Sequence, residues 1–554
     1  MNDIQTISLQ HGQHTIIPPM DYEQSIRESR ITSQMEALYY MFRGDNILLC
    51  GQAGTGKSWV IQVFRNAIDT MNAAMATQDT KSVNLTITAS TGAAASIING
   101  QTIHSWSGLG MEIDAPDPDE YDETGSRKII DSPKWKYTFK RIRSTDILVI
   151  DEISMLPAYF LTNLDMVCRM AKHSDKPFGG IQVIMVGDFL QLPPVSHAAI
   201  NRNGEEIDGR LCFYSPSFRD LHLRYCYLDC IHRSDDDRLN GILNAIRSGR
   251  EPKQQTQLLL ARLNANTQHG KSYTRLYTKN RDVNSFNRRQ LQALKSSSVV
   301  FKSHRHGPDY KAAANMQRMG GIPDELELKV GAIVMLTSNT IDREYGHVNG
   351  SMGRVAGFND GLPRIMFNDG IEITIGKAII KKTHKEATPR VGDDGFPTGE
   401  MVISDVTDAA VEYMPLKLAW AITVHKSQGQ TLDGAIIDLS DCFQRGLGYV
   451  ALSRVHSLDD IVLQGRLPKD ALMLDNDAFK ADMIIRKKAK ECRAELNDEI
   501  NEYRNKEIML PLMKGNERKE AERWMKSHPP ISIISDDFNA YEWMHGKARR
   551  HAGR

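Results

Sequence analysis

The octapeptide GQAGTGKS at residues 51–58 constrains this chain more than any other feature. The apolar run Ile47-Leu48-Leu49 precedes it and reads as a buried strand. Trp59-Val60-Ile61-Gln62-Val63-Phe64 follows it as the start of a helix. Strand, glycine-rich turn and helix in that order are the context that the pattern G-x-x-x-x-G-K-S requires. Gly51, Gly54 and Gly56 allow tight backbone conformations, so that the N–H groups of the loop, Thr55 included, converge on phosphate oxygens. Lys57 supplies a point charge for the outer phosphates, and the Ser58 hydroxyl a ligand for Mg²⁺. The competing reading, a glycine-rich turn with a solvated lysine, leaves both flanks unexplained.

Three further apolar runs, 83–90 (VNLTITAS), 146–151 (DILVID) and 181–188 (IQVIMVGD), carry β-branched residues and end in small or polar ones. Separated by helical stretches, they predict a parallel sheet covered on both faces, an α/β fold. Phe160, Leu164, Val167 and Ala171 recur at helical spacing and are expected to face that sheet. Asp151-Glu152 ends the second run. A carboxylate there can hold Mg²⁺ through its water shell, and its neighbour can orient and deprotonate an attacking water. Gly187-Asp188 ends the third run, and the Gln191 amide, which both donates and accepts, is suited to sensing a terminal phosphate.

A second α/β half begins near Leu228, with SYTRLYTK, AITVHKSQG, GAIIDLS and IVLQG as its strands. Within it, 324–412 differs. KVGAIVML, GRVAGF, PRIMF and IEITI are short strands between Gly, Asn and Asp turns, the pattern of a small all-β barrel. Residues 111–145 interrupt the first half: an acidic loop, EIDAPDPDEYDETG, leads into the basic, aromatic DSPKWKYTFKRIR, together a small insertion. Beyond about Asp475 the chain is charged and helix-prone. Two halves imply a cleft, and hydrolysis there calls for cations from the far side; Arg233 in CIHRSDD and Arg454 in YVALSRV are the candidates.

Lys plus Arg equals Asp plus Glu at 69 each. A polyanion must therefore be held in a local channel, not by a global field. Seven scattered cysteines suit a reducing compartment. Cys226, Cys230 and His232 lie close together but lack the second ligand pair of a zinc site. No apolar run approaches the ~20 residues needed to span a bilayer. The N-terminus lacks a signal pattern, and the expected setting is the cytoplasm of a bacterial or phage-infected cell.

Together these segments resemble the superfamily 1B DNA helicases of the Pif type, relatives of RecD and Dda, from about residue 30 to residue 466. ITSQMEALYY is similar to the family's glutamine motif, which implies that Gln34 contacts adenine. GQAGTGKS and VIDEISML match the two nucleotide motifs. ITASTGAAA and TIHSWSGLG resemble the strand-contacting segment. LDMVCRMAKHSDKPFGGIQVIMVGDFLQLPPV resembles the Pif signature, and LAWAITVHKSQGQTLD and GYVALSRV the last two motifs.

The resemblance implies two RecA-like motor domains, 30–227 and 228–323 with 413–474. It implies a wedge insertion at 111–145 and an SH3-like β insertion at 324–412, flanked by an N-terminal extension (1–29) and a helical C-terminal extension (475–554). It implies ATP and Mg²⁺ as cofactors, Arg233 and Arg454 as arginine fingers and Gln191 as the γ-phosphate sensor. The implied activity is 5′–3′ translocation on single-stranded DNA with unwinding at single-/double-strand junctions, in replication, repair or recombination. For the DNA track, hydroxyls, backbone N–H groups and aromatics are needed. Thr91, Ser105, Thr423, His425, Lys426 and Gln428 are the expected phosphate contacts. His104 and Trp106 are placed either against the bases or packed beneath the strand. His425 is read as facing DNA or coupling motifs.

The chain departs from the family pattern at Ser234, where glutamine usually follows the arginine, in the acidic loop at 112–123, and in its last 80 or so residues. That tail is expected to brace the second motor domain or to dock a replication or recombination protein, and the chain is expected to be a monomer. The alternatives are an RNA-directed translocase, the motor subunit of a nuclease complex, and a nucleotide-switched module that remodels DNA–protein complexes without unwinding.

Overall fold

The computed structural model describes residues 33–76, 82–109, 133–194, 199–200, 206–207, 209–249, 253–268, 273–338, 350–367, 370–391, 397–509 and 518–523. Its first lobe is a six-stranded sheet. The strands are β1 (Ile47–Gly51), β2 (Leu85–Ala89), β3 (Gln101–Thr102), β4 (Ile147–Asp151), β5 (Gln182–Gly187) and β6 (Arg224–Leu228). They lie in the order β3-β2-β4-β5-β1-β6, all parallel. Alternate residues serve opposite faces. Leu48, Leu148, Ile150, Val183 and Met185 enter one core, while Ile47, Leu49, Ile147, Val149, Ile184 and Val186 enter the other. That is why the strands read as unbroken apolar runs.

Helices α1 (Ser33–Arg43), α2 (Lys57–Ala76) and α3 (Ala158–Lys172) belong to this lobe. The expected stripe of α3, Phe160, Leu164, Val167 and Ala171, is buried in the core that also holds Leu48 and Met185. Of the 111–145 insertion, residues 133–144 form the helix Pro133–Ser144; the acidic loop at 112–123 lies outside the described residues.

The second lobe has a four-stranded parallel sheet, β7 (Tyr273–Tyr277), β8 (Ala421–Thr423), β9 (Gly434–Asp438) and β10 (Ile461–Gln464), in the order β8-β7-β9-β10. Leu276, Ile422, Ala435 and Ile437 of this sheet share one continuous core with Leu48 and Met185 of the first. Between β7 and β8 the chain turns antiparallel. Ile333–Leu336, Met352–Asn359, Leu362–Phe367, Glu372–Thr374 and Leu416–Leu418 make a five-stranded sheet over its own core of Leu328, Val334, Val355 and Ile365. A long hairpin, Ala378–Val391 with Pro397–Tyr413, follows. The antiparallel pairing begins at Ser298–Lys302, which pairs with Glu325–Lys329.

Three more helices flank these sheets: α4 (Asp237–Arg247), α5 (Leu447–Leu452) and α6 (Asn476–Met509). α6 corrects the expectation for the C-terminal stretch, since it packs chiefly on the first lobe. The Tyr40 hydroxyl donates to the Cys492 carbonyl at 2.7 Å, and Arg493 Nε donates to the buried Glu36 at 2.8 Å. Its buried residues Ala478, Ile485, Ala489, Cys492 and Leu496 form a helical stripe. Such a stripe in the sequence announces a buried face without naming its partner. Trp524, Tyr541 and Trp543 lie outside the described residues.

Candidate active site

The loop between β1 and α2 takes the conformation its glycines permit. Gly54 and Gly56 have φ of +82° and +88°, and a Cβ at either would collide, at Gly54 with the Arg233 Cβ and at Gly56 with the Gln34 amide. Gln34 Nε2 donates to the Thr55 carbonyl at 3.2 Å, the Thr55 hydroxyl donates to the Gln52 carbonyl at 2.9 Å, and His232 N donates to the Gly54 carbonyl at 2.8 Å. The loop is therefore held on one side by α1 and on the other by the segment that leads into α4. Lys57 Nζ donates to the carbonyls of Gly51 and Gln52 at 2.7 and 2.9 Å. Burial lowers the Lys57 pKa, and the carboxylates of Asp188, Glu152 and Asp151 offset this in part. Ser58 is exposed at the mouth of the loop.

Asp151 ends β4 beside this lysine, and its Oδ1 accepts from Glu152 N at 2.8 Å. Burial and the Glu152 charge push its carboxyl up to about 7. Glu152 sits in the left-handed region at φ +53°, ψ +44°, a strain typical of residues held for function. Asp188 follows β5 and is 1% exposed. Burial alone would raise its carboxyl, but the charges of Arg247 and Lys57 hold it below the ordinary carboxylate range. Its Oδ2 accepts from Arg247 Nη1 at 2.7 Å and from Gln191 Nε2 and the Tyr449 hydroxyl at 3.3 Å each.

The second lobe supplies the rest. Arg454 is buried, and its guanidinium donates to the carbonyls of Val450, Ser427 and Gln430 and to the Ser453 hydroxyl. Burial first, and then the neighbouring Arg233, bring its pKa down to about 10. Arg233 Nη1 donates to the Ser453 carbonyl at 3.2 Å, and burial lowers its pKa too. Both arginines also feel the Glu152 charge. Gln428 Nε2 donates to Glu152 Oε2 at 3.0 Å, joining the lobes at the candidate catalytic base. Three buried glutamine oxygens have no hydrogen-bond partner: Gln52 Oε1 in the loop, and Gln191 Oε1 and Gln428 Oε1, whose amides bond Asp188 and Glu152. A phosphate-binding loop, a half-buried lysine, two acidic residues and two under-neutralised arginines fit a magnesium-bound nucleoside triphosphate.

The residues expected on the DNA track divide. Ser105 and Lys426 are exposed, and Thr91 and His425 are half-buried. Trp106 is wholly buried, so it packs beneath the segment and does not stack on bases. His104 is half-buried with its ring 4.5 Å from that of Phe160, which makes it a packing residue as well. Thr423 is buried and its hydroxyl accepts from Lys426 N at 3.3 Å. That hydroxyl thus caps a turn, and Gln428 is buried with its Nε2 on Glu152.

Four residues of the site are not singled out by the sequence. Arg247 ends a helix with no motif of its own. Tyr449 stands inside GYVALSRV without a role of its own there. Phe443 is 62% exposed and stacks on His425 at 6.2 Å. The Lys417 amine is pushed down to about 8 by burial and by Lys426. The one signal for Phe443 and Lys417 is their closeness to TVHKSQG. Among the described residues no group of three or more His, Cys, Asp or Glu side chains is placed to hold a metal ion, and no helix is long and apolar enough to cross a membrane.

Two parallel-sheet lobes clasping one phosphate loop define a P-loop motor ATPase of the RecA-like helicase class. Residues 27–208 match the PIF1-like helicase family. The ATP-dependent DNA helicase Pif1 of Psychrobacter sp. is 35% identical over 490 residues, covering 81% of this chain and 70% of its own length. The chain belongs to the Pif1 family of helicases. The crystal structure of Pif1 helicase from Candida albicans superposes with a TM-score of 0.63 at 26% identity, covering 82% of this chain and 99% of that one. A Bacteroides Pif1 helicase, in complex with ADP-AlF3 and single-stranded DNA, superposes at 0.57 with 25% identity, covering 84% and 97%.

Proposed function

We propose that this chain is an ATP-dependent DNA helicase that translocates 5′ to 3′ on single-stranded DNA and unwinds duplex DNA at junctions, in replication, repair or recombination. The observation that carries this reading is the Gln428–Glu152 hydrogen bond of 3.0 Å, made beside the phosphate loop by residues from opposite lobes. Family membership and the DNA-bound Bacteroides relative support DNA as the track.

ATP sits on the 51–58 loop with its adenine towards Gln34. Ser58 and, through water, Asp151 would hold Mg²⁺, which would supply charge neutralisation at the outer phosphates. Glu152 orients and deprotonates the attacking water, and Gln191 reads the terminal phosphate. Arg233 and Arg454 neutralise charge that develops as the bond breaks, and Lys57 grips the outer phosphates. With both lobes holding one triphosphate the cleft closes, and with the terminal phosphoryl group gone it opens. Alternating grip then advances the lobes along the strand.

Thr91, Ser105, His425, Lys426 and Lys417 contact the sugar–phosphate backbone, and Phe443 gives the bases an aromatic face. Domain 1 is 30–227 with a wedge at 111–145. Domain 2 is 228–323 with 413–474, carrying an SH3-like β insertion at 324–412. Residues 1–29 and 475–554 are extensions.

The test is ATP hydrolysis with and without single-stranded DNA, followed by strand displacement from duplexes tailed at either end. Stimulation by DNA and displacement from a 5′ tail are expected, with Glu152→Gln binding both ligands but turning over at least ~10²-fold more slowly. Stimulation by RNA alone, or stimulation without displacement, would overturn the reading.

A further inference from the structure

α6 lies outside every nucleotide motif, yet one of its side chains reaches the core of the ATPase site. Arg247, at the end of α4, is only 5% exposed. Its Nη1 donates to Asp188 Oδ2 and to the Tyr449 hydroxyl, each at 2.7 Å. Its Nη2 donates to the Tyr227 hydroxyl at 2.6 Å and to Asp482 Oδ1 at 3.3 Å. Asp482, on α6, is itself buried; its Oδ1 accepts from the Tyr227 hydroxyl at 2.9 Å and its Oδ2 from Arg486 Nε at 2.7 Å. One guanidinium thus stands between two carboxylates. One follows the strand that carries the candidate phosphate sensor, and the other comes from the C-terminal helix. Tyr449 adds α5, which leads directly into Arg454.

The geometry has a mechanical consequence. Asp188 Oδ2 is shared by Arg247, Tyr449 and the Gln191 amide. The position of the Arg247 fork therefore sets where that oxygen lies, and through it where Gln191 and α5 lie. Arg247 is held from behind by Tyr227 and Asp482. A planar fork fixed at both ends transmits position, as a solvated charge does not. Buried pairs of this kind add little net stability, and their recognised use is in fixing register.

We propose that Asp482 is a positioning residue for ATP hydrolysis, acting through Arg247 and Asp188 on Gln191, so that the C-terminal helix is part of the ATPase and not an appendage to it. The proposal rests on the reading of Gln191 as phosphate sensor.

Asp482→Asn in the full chain preserves shape and an acceptor for Tyr227 while removing the charge that faces Arg247. Its expected effect is about a tenfold fall in kcat with the ATP KM within about threefold. The decisive measurement is a double-mutant cycle with Gln191→Ala. If Asp482 works through the sensor, D482N in the Q191A background costs less than about twofold. Effects that multiply would overturn the proposal, as would an unchanged kcat in D482N. Arg247→Lys keeps the charge and loses the fork; it should reproduce the D482N phenotype, and wild-type kcat in that variant would equally overturn the proposal. Should D482N fail to fold, the R247K/Q191A cycle takes its place: a cost below about twofold in the Q191A background supports the proposal, and multiplying effects overturn it. Basal ATPase is read in every case. Loss of DNA stimulation in the wild type would count against the helicase reading alone, and multiplicative effects against the positioning role alone.

Discussion

Arg454→Ala separates stability from catalysis. The folded protein holds this charge at a cost. Burial and Arg233 bring its pKa down to about 10, which against an ordinary arginine is a difference of roughly 3 kcal/mol at ~1.4 kcal/mol per tenfold. Deleting the side chain relieves that cost. It also removes the guanidinium's hydrogen bonds, of which the 2.8 Å bond to Val450 and the 2.6 Å bond to Ser453 are well formed, while those to Ser427 and Gln430 are long at 3.4 and 3.3 Å. Two good bonds from a charged donor are worth about 3–6 kcal/mol. The two effects have opposite sign and similar size, so the variant should stay folded, with a thermal midpoint close to that of the wild type.

Catalysis has no such compensation. An under-neutralised cation within the field of Glu152 and Asp188 is most favourable when phosphoryl charge develops, and loss of such an arginine costs about 10³–10⁵ in rate, or at least ~4 kcal/mol of transition-state stabilisation. The assay is steady-state hydrolysis at saturating single-stranded DNA, paired with titration of a fluorescent ATP analogue and a melting curve. ATP affinity should fall by no more than about tenfold. A folded variant that hydrolyses ATP within tenfold of wild type would refute the assignment. Arg454→Lys retains the charge without the fork and should recover only part of the lost rate.

Two other outcomes are specific to this geometry. Gly54→Ala forces an L-residue into φ +82° and drives its Cβ into Arg233, which costs roughly 1–2 kcal/mol in backbone strain alone. The expected result is a folded chain whose ATP affinity, measured by titration, falls more than about tenfold. Lys417, with its amine at about 8, should discharge as pH rises from 7 to 9, so single-stranded DNA affinity declines across that window, and Lys417→Ala should flatten the decline and reduce the salt slope by about 0.7. The sign of the stability effect is opposite. Between about 8 and an ordinary ~10.4 the unfolded lysine binds a proton that the folded one does not, so folding stability rises with pH and weaker binding there is not unfolding.

The local sequence is enough for every element whose cause is local. The P-loop follows from glycines, a lysine and a hydroxyl at fixed spacing between a strand and a helix. The strands of the first sheet follow from apolar runs that must be buried on both faces. Asp151, Glu152 and Gln191 are legible because a parallel strand delivers its C-terminal end to the site.

What the sequence does not state is which side chains meet across the cleft, because contact between residues hundreds of positions apart leaves no periodicity. Gln428, expected on a phosphate, also reaches across to Glu152, a contact no local pattern announces. Trp106 carries an aromatic face suited to bases and is sealed in the core. Arg247 sits in an ordinary helix and acquires meaning only where Asp188, Tyr449, Tyr227 and Asp482 converge on it. α6 displays an apolar stripe in sequence, but only packing decided that it lies chiefly on the first lobe. Backbone geometry is set locally; burial partners and the shared field of buried charges exist only once the chain has closed on itself.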